Sequence, residues 1–429
     1  LRRYFDDPSA RRLEILPDRA CVLVSCLGDQ SLILCLFVCD RKSNIGDTIF
    51  HSLSNGFYLY RPPLGAAKTL PAGTSKITFT SGSTGEPKGV CLSQTNMDNT
   101  ARAVASALVE ITMQTHLCTL PLPALLENVA GVYSALLRGA SIILPSLHEL
   151  GFNGSSSLDI NTFCKVLRDT EPESLILLPQ MLMTLLLHVE SDKWQAPSSL
   201  EFIAVGGARV APALLANARR AGLPVYEGYG LSECGSVVAL NRPGVDRPGT
   251  VGKVLPHCQL SIENGEICLS GNSFLGYVGD PEPTTAVVHT GDLGSVTDEF
   301  LIISGRRKNL LISSFGRNIT PEWPKSEVLA ETGIAQCVVF GDGHPFCVAL
   351  IHLRAETSLD AVQDMIDAAN TRLPDYARIQ HWAPLEEPLS AANHELTSNG
   401  RPRRDVIAGN YKSLIDRLYN EKCNDTHAA

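Results

Sequence analysis

Between residues 76 and 227, short apolar runs alternate with longer stretches whose apolar positions recur three and four residues apart. The runs at 76–80, 117–120, 140–144, 175–178, 202–205 and 224–227 have strand length. The periodic stretches at 94–110, 125–137, 160–169, 180–189 and 211–221 predict helices. Strands alternating with helices imply crossover units around a largely parallel sheet. Residues 151–158, rich in Gly, Ser and Asn, read as a surface loop. Near the start, 20–27 reads as a strand and 29–40 as a helix.

The pattern changes after Asn241. Residues 241–252 are rich in Pro and Gly, and strand-like runs at 259–263 and 266–269 then flank Asn264-Gly265. Both residues tolerate positive φ, so this pair predicts a hairpin. From Gly305-Arg306-Arg307-Lys308 onward, apolar runs at 337–340 and 348–352 mix with helical patterns at 321–331 and 359–372. This is the pattern of a small α+β domain joined through a polar hinge.

Composition narrows the function classes. With 429 residues, 44% of them hydrophobic and 19% charged, the chain can bury a large core. A formal charge of −9 argues against general nucleic-acid binding. The 13 cysteines include no CxxC pair, so they read as reduced, mostly buried residues of a cytoplasmic protein. The apolar run at 31–39 falls well short of the ~20 residues of a spanning helix, so no transmembrane segment is expected.

The densest chemistry follows the run at 76–80. Thr80-Ser81-Gly82-Ser83-Thr84-Gly85-Glu86-Pro87-Lys88-Gly89 packs three glycines and four hydroxyls around one lysine. Glycines let backbone N–H groups approach phosphate oxygens, the hydroxyls add donors, and Lys88 adds positive charge. Pro87 stands where a P-loop NTPase needs glycine before its lysine, so that class does not fit. Gly230-Leu231-Ser232-Glu233-Cys234 comes near a hydrolase elbow, but its second glycine arrives one residue late.

The 81–89 segment resembles the phosphate loop of the adenylate-forming (AMP-binding) superfamily, which includes acyl-CoA synthetases. Further segments resemble its other signatures in order: Gly206-Gly207-Ala208, Tyr226 to Glu233, Gly265 to Tyr277, His289 to Leu293 and Gly305 to Lys308. The resemblance implies an ATP site built from Thr80, Ser81, Gly82, Ser83, Thr84, Gly85, Lys88, Gly206, Gly207, Ala208, Glu227, Gly228, Tyr229, Gly230, Leu231, Ser232, Asp292 and Arg306. In it Tyr229 stacks on the purine, Asp292 accepts from the ribose hydroxyls, and Thr84 and Glu233 hold Mg²⁺. Catalysis would fall to Glu233, Lys88 and Arg401. Lys308 matches the pivot between the domains, and Gly316 a glycine beside a thiol tunnel.

Pattern and resemblance together predict an α/β protein. A large core domain (1–304), N-terminally shortened, holds mostly parallel sheets flanked by helices plus a small distorted β subdomain. A small, hinged, mobile α+β domain (305–429) follows. The implied activity joins ATP and a carboxylic acid into acyl-AMP, then passes the acyl group to coenzyme A. A carrier-protein phosphopantetheine as acceptor, or a non-catalytic nucleotide- or acyl-binding descendant, are the alternatives. Two departures stand out: Arg401 follows Ser398-Asn399-Gly400 where the family has lysine, and Ala124 stands where a gating side chain is common. Leu125, Leu126, Val129 and Tyr133 read as either core or an apolar acid pocket.

Overall fold

The computed structural model describes residues 70–81, 87–153, 157–191, 193–280, 286–355, 357–397 and 401–420, together with the backbone of four strands within the first 61 residues. Gly82, Ser83, Thr84, Gly85 and the segment Ser398-Asn399-Gly400 lie outside the described residues, as does the side chain of Ser81.

Among the described residues, one sheet of eleven strands organises the larger part of the chain. Its parallel half runs in the order Val225–Leu231, Phe202–Val205, Ser174–Leu177, Thr115–Leu117, Ser141–Ile143. Alternation along a strand sends neighbouring residues to opposite faces. Thus Ile203 and Val205 join Phe163, Leu167, Leu182 and Leu185 beneath the helices Ile160–Thr170, Pro179–Glu190 and Pro212–Arg220. Phe202 packs on the other face with Val104, Leu108 and Ala135. Burying one such Leu or Phe stabilises the fold by about 1.5–3 kcal/mol. Helix Gln94–Ala107 is started by Ser93, whose hydroxyl accepts from Asn96 N–H at 3.0 Å while the Asn96 side chain accepts from Ser93 N–H. Such a reciprocal cap is worth about 1 kcal/mol.

The expected α/β architecture is present, and two details of it change. The antiparallel strands are continuous with the parallel ones: Ser236–Leu240, Lys253–Val254, Phe300–Arg306, Val287–Thr297, Glu266–Ser270 and Gln259–Glu263 extend the same sheet from Val225–Leu231. Strand Val225–Leu231 is therefore where the sheet switches from parallel to antiparallel pairing. In addition, residues 29–40 contain the strand Ile33–Cys39, antiparallel to Cys21–Cys26, rather than a helix. The short run ILCLFVC carries β-branched and aromatic residues, and its length suits a strand better than a helix.

The stretch expected as one helix at 125–137 is a π-helix over Leu126–Tyr133 continued by an α-turn over Ser134–Leu137. Its Leu125 and Val129 are core residues clustered with Val90 and Leu92, and Tyr133 packs against them, whereas Leu126 lines a small cavity. The cavity, about 30 Å³ and lined by apolar side chains with His116 and Ser174, has room for about one water. The 151–158 loop contains a two-residue antiparallel pairing of Phe152–Asn153 with Ser157–Leu158.

From Leu311 the chain forms a three-stranded sheet, Ile334–Phe340, Cys347–Leu353 and Ile379–Pro384. Helices Glu322–Leu329 and Asp360–Thr371 bury one apolar cluster, which includes Val328, Val339, Ile351 and Ile366. Residues of Arg404–Asn410 and Lys412–Asn420 bury a second around Val348, Leu350 and Ile407. Cys91, Cys118, Cys164, Cys234, Cys258, Cys268, Cys337 and Cys347 are buried thiols outside any disulfide. Among the described residues, no helix is long and apolar enough to cross a membrane.

Candidate active site

Ligands in open α/β sheets gather beyond the carboxyl ends of the strands. Here Phe202–Val205 leads into Gly206, Gly207 and Ala208, and Val225–Leu231 carries Glu227, Gly228, Tyr229, Gly230 and Leu231 within the strand itself. The sequence reading ended that strand at Glu227; pairing with Ser236–Leu240 extends it. The register shifts between Tyr229 and Gly230, and a Cβ on Gly230 would stand 1.9 Å from Ser236 O. Any other residue there would force the strands apart. Ser232 and Glu233 then form a short 3₁₀ turn.

Three predicted residues meet in one network. Tyr229 OH donates to Asp292 Oδ2 at 2.6 Å, and Arg306 Nε donates to Asp292 Oδ1 at 2.6 Å. Asp292 and Arg306 are cross-strand partners, which fixes their approach. Burial first, and Asp292's charge second, hold the Tyr229 hydroxyl far above the phenol range. Burial alone would lower the Arg306 pKa, but attraction and hydrogen bonding from Asp292 outweigh it and raise it.

A second cluster surrounds Glu233. Tyr277 OH donates to Glu233 Oε1 at 3.0 Å, and Lys88 Nζ lies 5.1 Å from the centre of the Tyr277 ring. Lys88 sits on the returning strand Pro87–Leu92, paired with Thr80 of Lys76–Ser81. Lys76–Ser81 and Pro87–Leu92 thus form an antiparallel pair on either side of residues 82–86, which lie outside the described residues. Tyr277 had no role in the sequence reading, although the Gly276-Tyr277 signature contains it. Arg209 stands one residue beyond the Gly206-Gly207-Ala208 signature, which gives it no role. Its Nη1 donates to Ile303 O at 3.2 Å, and its guanidinium lies 5.9 Å from the Trp323 ring centre.

The C-terminal part reaches the same place. Arg401 Nη2 donates to Gly207 O at 3.1 Å. Lys308 lies in the 3₁₀ turn Arg307–Asn309 directly after the Arg306 strand. Gly316 occupies an exposed turn at φ +72°, with no atom within 4 Å of where a Cβ would be. Its conformation alone accounts for glycine at that position.

Glu227 is buried, and burial raises its pKa to about 8 against the opposing pull of Arg209. Since the folded pKa lies above the free one, the stability allowed by the neutral carboxyl is complete below the ordinary 4.5 and is lost as pH rises through about 8. Glu227→Gln is expected to gain stability relative to the parent between pH 5 and 9, approaching ~5 kcal/mol if the whole shift is expressed. Denaturant titrations of both proteins across that range provide the measurement, and a gap that stays constant with pH would contradict the assignment.

The AMP-binding enzyme family matches residues 60–278, and the AMP-binding enzyme C-terminal domain matches residues 308–423. A long-chain-fatty-acid–CoA ligase of Mycobacterium bovis is 33% identical over 249 residues, covering 51% of this chain and 42% of that protein. A 2-succinylbenzoate–CoA ligase of Bacillus velezensis is 32% identical over 291 residues, covering 63% and 56%. The chain spans about half the length of these curated relatives. Among solved structures, the O-succinylbenzoate coenzyme A synthetase of Bacillus subtilis in complex with AMP superposes with a TM-score of 0.62 at 24% identity, covering 79% of this chain and 70% of that one. The anthranilate CoA ligase AuaEII in complex with anthranoyl-AMP gives 0.66 at 19% identity, covering 83% and 71%. These two likenesses concern the fold. With the family match extending over half of the chain, this protein belongs to the AMP-binding enzyme family.

Proposed function

We propose that this chain activates a carboxylic acid as acyl-AMP and then transfers the acyl group to the thiol of coenzyme A. The observation that carries the proposal is the Tyr229–Asp292–Arg306 network, whose Tyr229 lies on the strand where parallel pairing gives way to antiparallel, with Arg401 closing on Gly207 beside it. Each Asp292 oxygen has a second lone pair, so the carboxylate can also accept from the two ribose hydroxyls. Tyr229 offers an aromatic face to the purine, beside backbone at Gly206, Gly207 and Ala208.

In the first half-reaction a carboxylate oxygen attacks the α-phosphorus of ATP, and the bond to pyrophosphate breaks. Lys88 and the loop hydroxyls hold the departing phosphates, while Arg401 offsets charge at the α-phosphate. Glu233 presents a hard oxygen donor of the kind Mg²⁺ prefers, with Thr84 as the expected second ligand. When bound, that ion would neutralise phosphate charge. In the second half-reaction the thiol sulfur attacks the acyl carbon, AMP leaves and the thiol proton goes to solvent. A pivot at Lys308 would exchange the two half-reactions, and Gly316 would border the thiol's path. Relatives named as CoA ligases support coenzyme A as acceptor over a carrier protein.

Acid-dependent ATP–pyrophosphate exchange tests the proposal across short-, medium- and long-chain and aryl acids. At least one class is expected to support exchange; failure of all of them sinks the enzyme reading and leaves a nucleotide-binding role. Glu233→Gln is expected to lower exchange at least ~10-fold and to raise the Mg²⁺ concentration needed. Unchanged exchange in that variant would remove Glu233 from the site.

A further inference from the structure

At the outer end of the antiparallel strands, three unlike donors face one another on one side of the sheet. Ser261, Cys268 and His289 form one cross-strand row, since Ser261 pairs with Cys268 and Cys268 with His289. Glu263 pairs with Glu266, two residues before Cys268, so it stands on the same face one pleat along. The carboxylate of Glu263, the Cys268 thiol and the His289 imidazole bring their donor atoms within 4.8 Å of one another. Cys268 is fully buried, whereas Glu263 and His289 are exposed.

We propose that Glu263, Cys268 and His289 bind a divalent transition ion of the Zn²⁺ class, stapling three strands together. The donor set of one thiolate, one imidazole and one carboxylate is that of a borderline-soft ion rather than of Mg²⁺ or Ca²⁺. Metal bonds of about 2.3 Å to sulfur and 2.05 Å to nitrogen at a tetrahedral angle put these atoms roughly 3.5 Å apart. Cys268 Sγ and His289 Nδ1 stand 3.4 Å apart, so little rearrangement is needed. Three protein ligands leave a fourth position open to water on the solvent side.

The surrounding charges permit a cation. Glu266 is already committed, accepting from Gly291 N–H at 2.8 Å and lying 3.4 Å from Arg307 Nη2. That pair is close to neutral, which leaves Glu263 as the anionic group facing the ion. Burial first, then Glu263 and Glu266, raise the thiol pKa, and Arg307 opposes them. Metal binding must therefore displace the thiol proton to solvent, and affinity is expected to rise with pH. The site is separate from Glu233 and needs no nucleotide.

Cobalt(II) added to the full chain without nucleotide is the probe. One equivalent is expected to produce a thiolate-to-cobalt charge-transfer band with tetrahedral d–d bands, and Zn²⁺ should displace both. Cys268→Ala should abolish the charge-transfer band, and Zn²⁺ should raise the Tm of the parent but not of this variant. His289→Ala alters only an exposed residue, so it tests the site without threatening the fold; its Co²⁺ affinity should fall at least ~10-fold. Absence of the band at excess Co²⁺, its survival in Cys268→Ala, or unchanged affinity in His289→Ala would each overturn the site.

Discussion

Replacing Asp292 by alanine is expected to lower acid-dependent ATP–pyrophosphate exchange at least ~100-fold, a transition-state loss of about 2.7 kcal/mol. Asp292 is buried, and both of its oxygens are engaged, by Tyr229 and by Arg306. Alanine removes the proposed ribose acceptor and leaves two donors without their acceptor. Because the Arg306 side chain is 47% exposed, water screens part of its lost partner. The stability cost should therefore be modest, about 1–3 kcal/mol, most of it from the Tyr229 hydroxyl. Asp292→Asn separates the two effects. The amide keeps the shape and one acceptor oxygen, so denaturant stability should largely return. Exchange should stay low, because the negative charge facing Arg306 and the second acceptor oxygen are gone. Full exchange in the asparagine variant would show that the carboxylate charge is not needed.

Much of this site was legible in the chain because its residues come in compact signatures at strand ends. The parallel half of the sheet was equally legible, since its strands are continuous apolar runs separated by amphipathic helices. The antiparallel half was not. Val287–Thr297 contains His-Thr-Gly-Asp-Leu-Gly, a composition of turns, yet it pairs on both sides and forms an eleven-residue strand. Register shifts at Leu293/Gly294 and at Glu266/Cys268 absorb the irregular residues. Tertiary pairing, invisible to a local pattern, overrode local propensity there. The contacts inside the site were hidden for a related reason. The signature around Tyr229 speaks for its ring, but its hydroxyl reaches a residue 63 positions away. Tyr277 meets Glu233 across 44 positions, and Arg209 meets Ile303 across 94. A signature can place a residue type near a ligand; the partner of its polar end depends on how distant strands are ordered.

The same distance problem bears on Arg401, which touches Gly207 O across 194 positions. The side chain keeps a solvent-facing edge, yet desolvation first and the like charge of Arg306 second lower its pKa, while Asp292 and Glu322 pull the other way. Arginine so placed stays charged and sits beside the Tyr229–Asp292–Arg306 network. Its proposed task is to offset charge building on the α-phosphate during the first half-reaction, with the pivot at Lys308 removing it for the second. Arg401→Ala is therefore expected to lower adenylate formation by ~100- to 1,000-fold, as removal of one preorganised donor does elsewhere. Thioester formation from supplied acyl-AMP should change little, because the proposed pivot at Lys308 carries Arg401 away from the α-phosphate before AMP leaves. Arg401→Lys should keep adenylation within ~10-fold of the parent, since an ammonium supplies the same charge as a compact point. Separate assays of pyrophosphate release and of thioester formation from preformed adenylate read the two halves. An equal loss in both would make Arg401 a structural tie to the Gly206–Ala208 segment. No loss in either would take it out of the chemistry, and another cation near the site would have to carry that role.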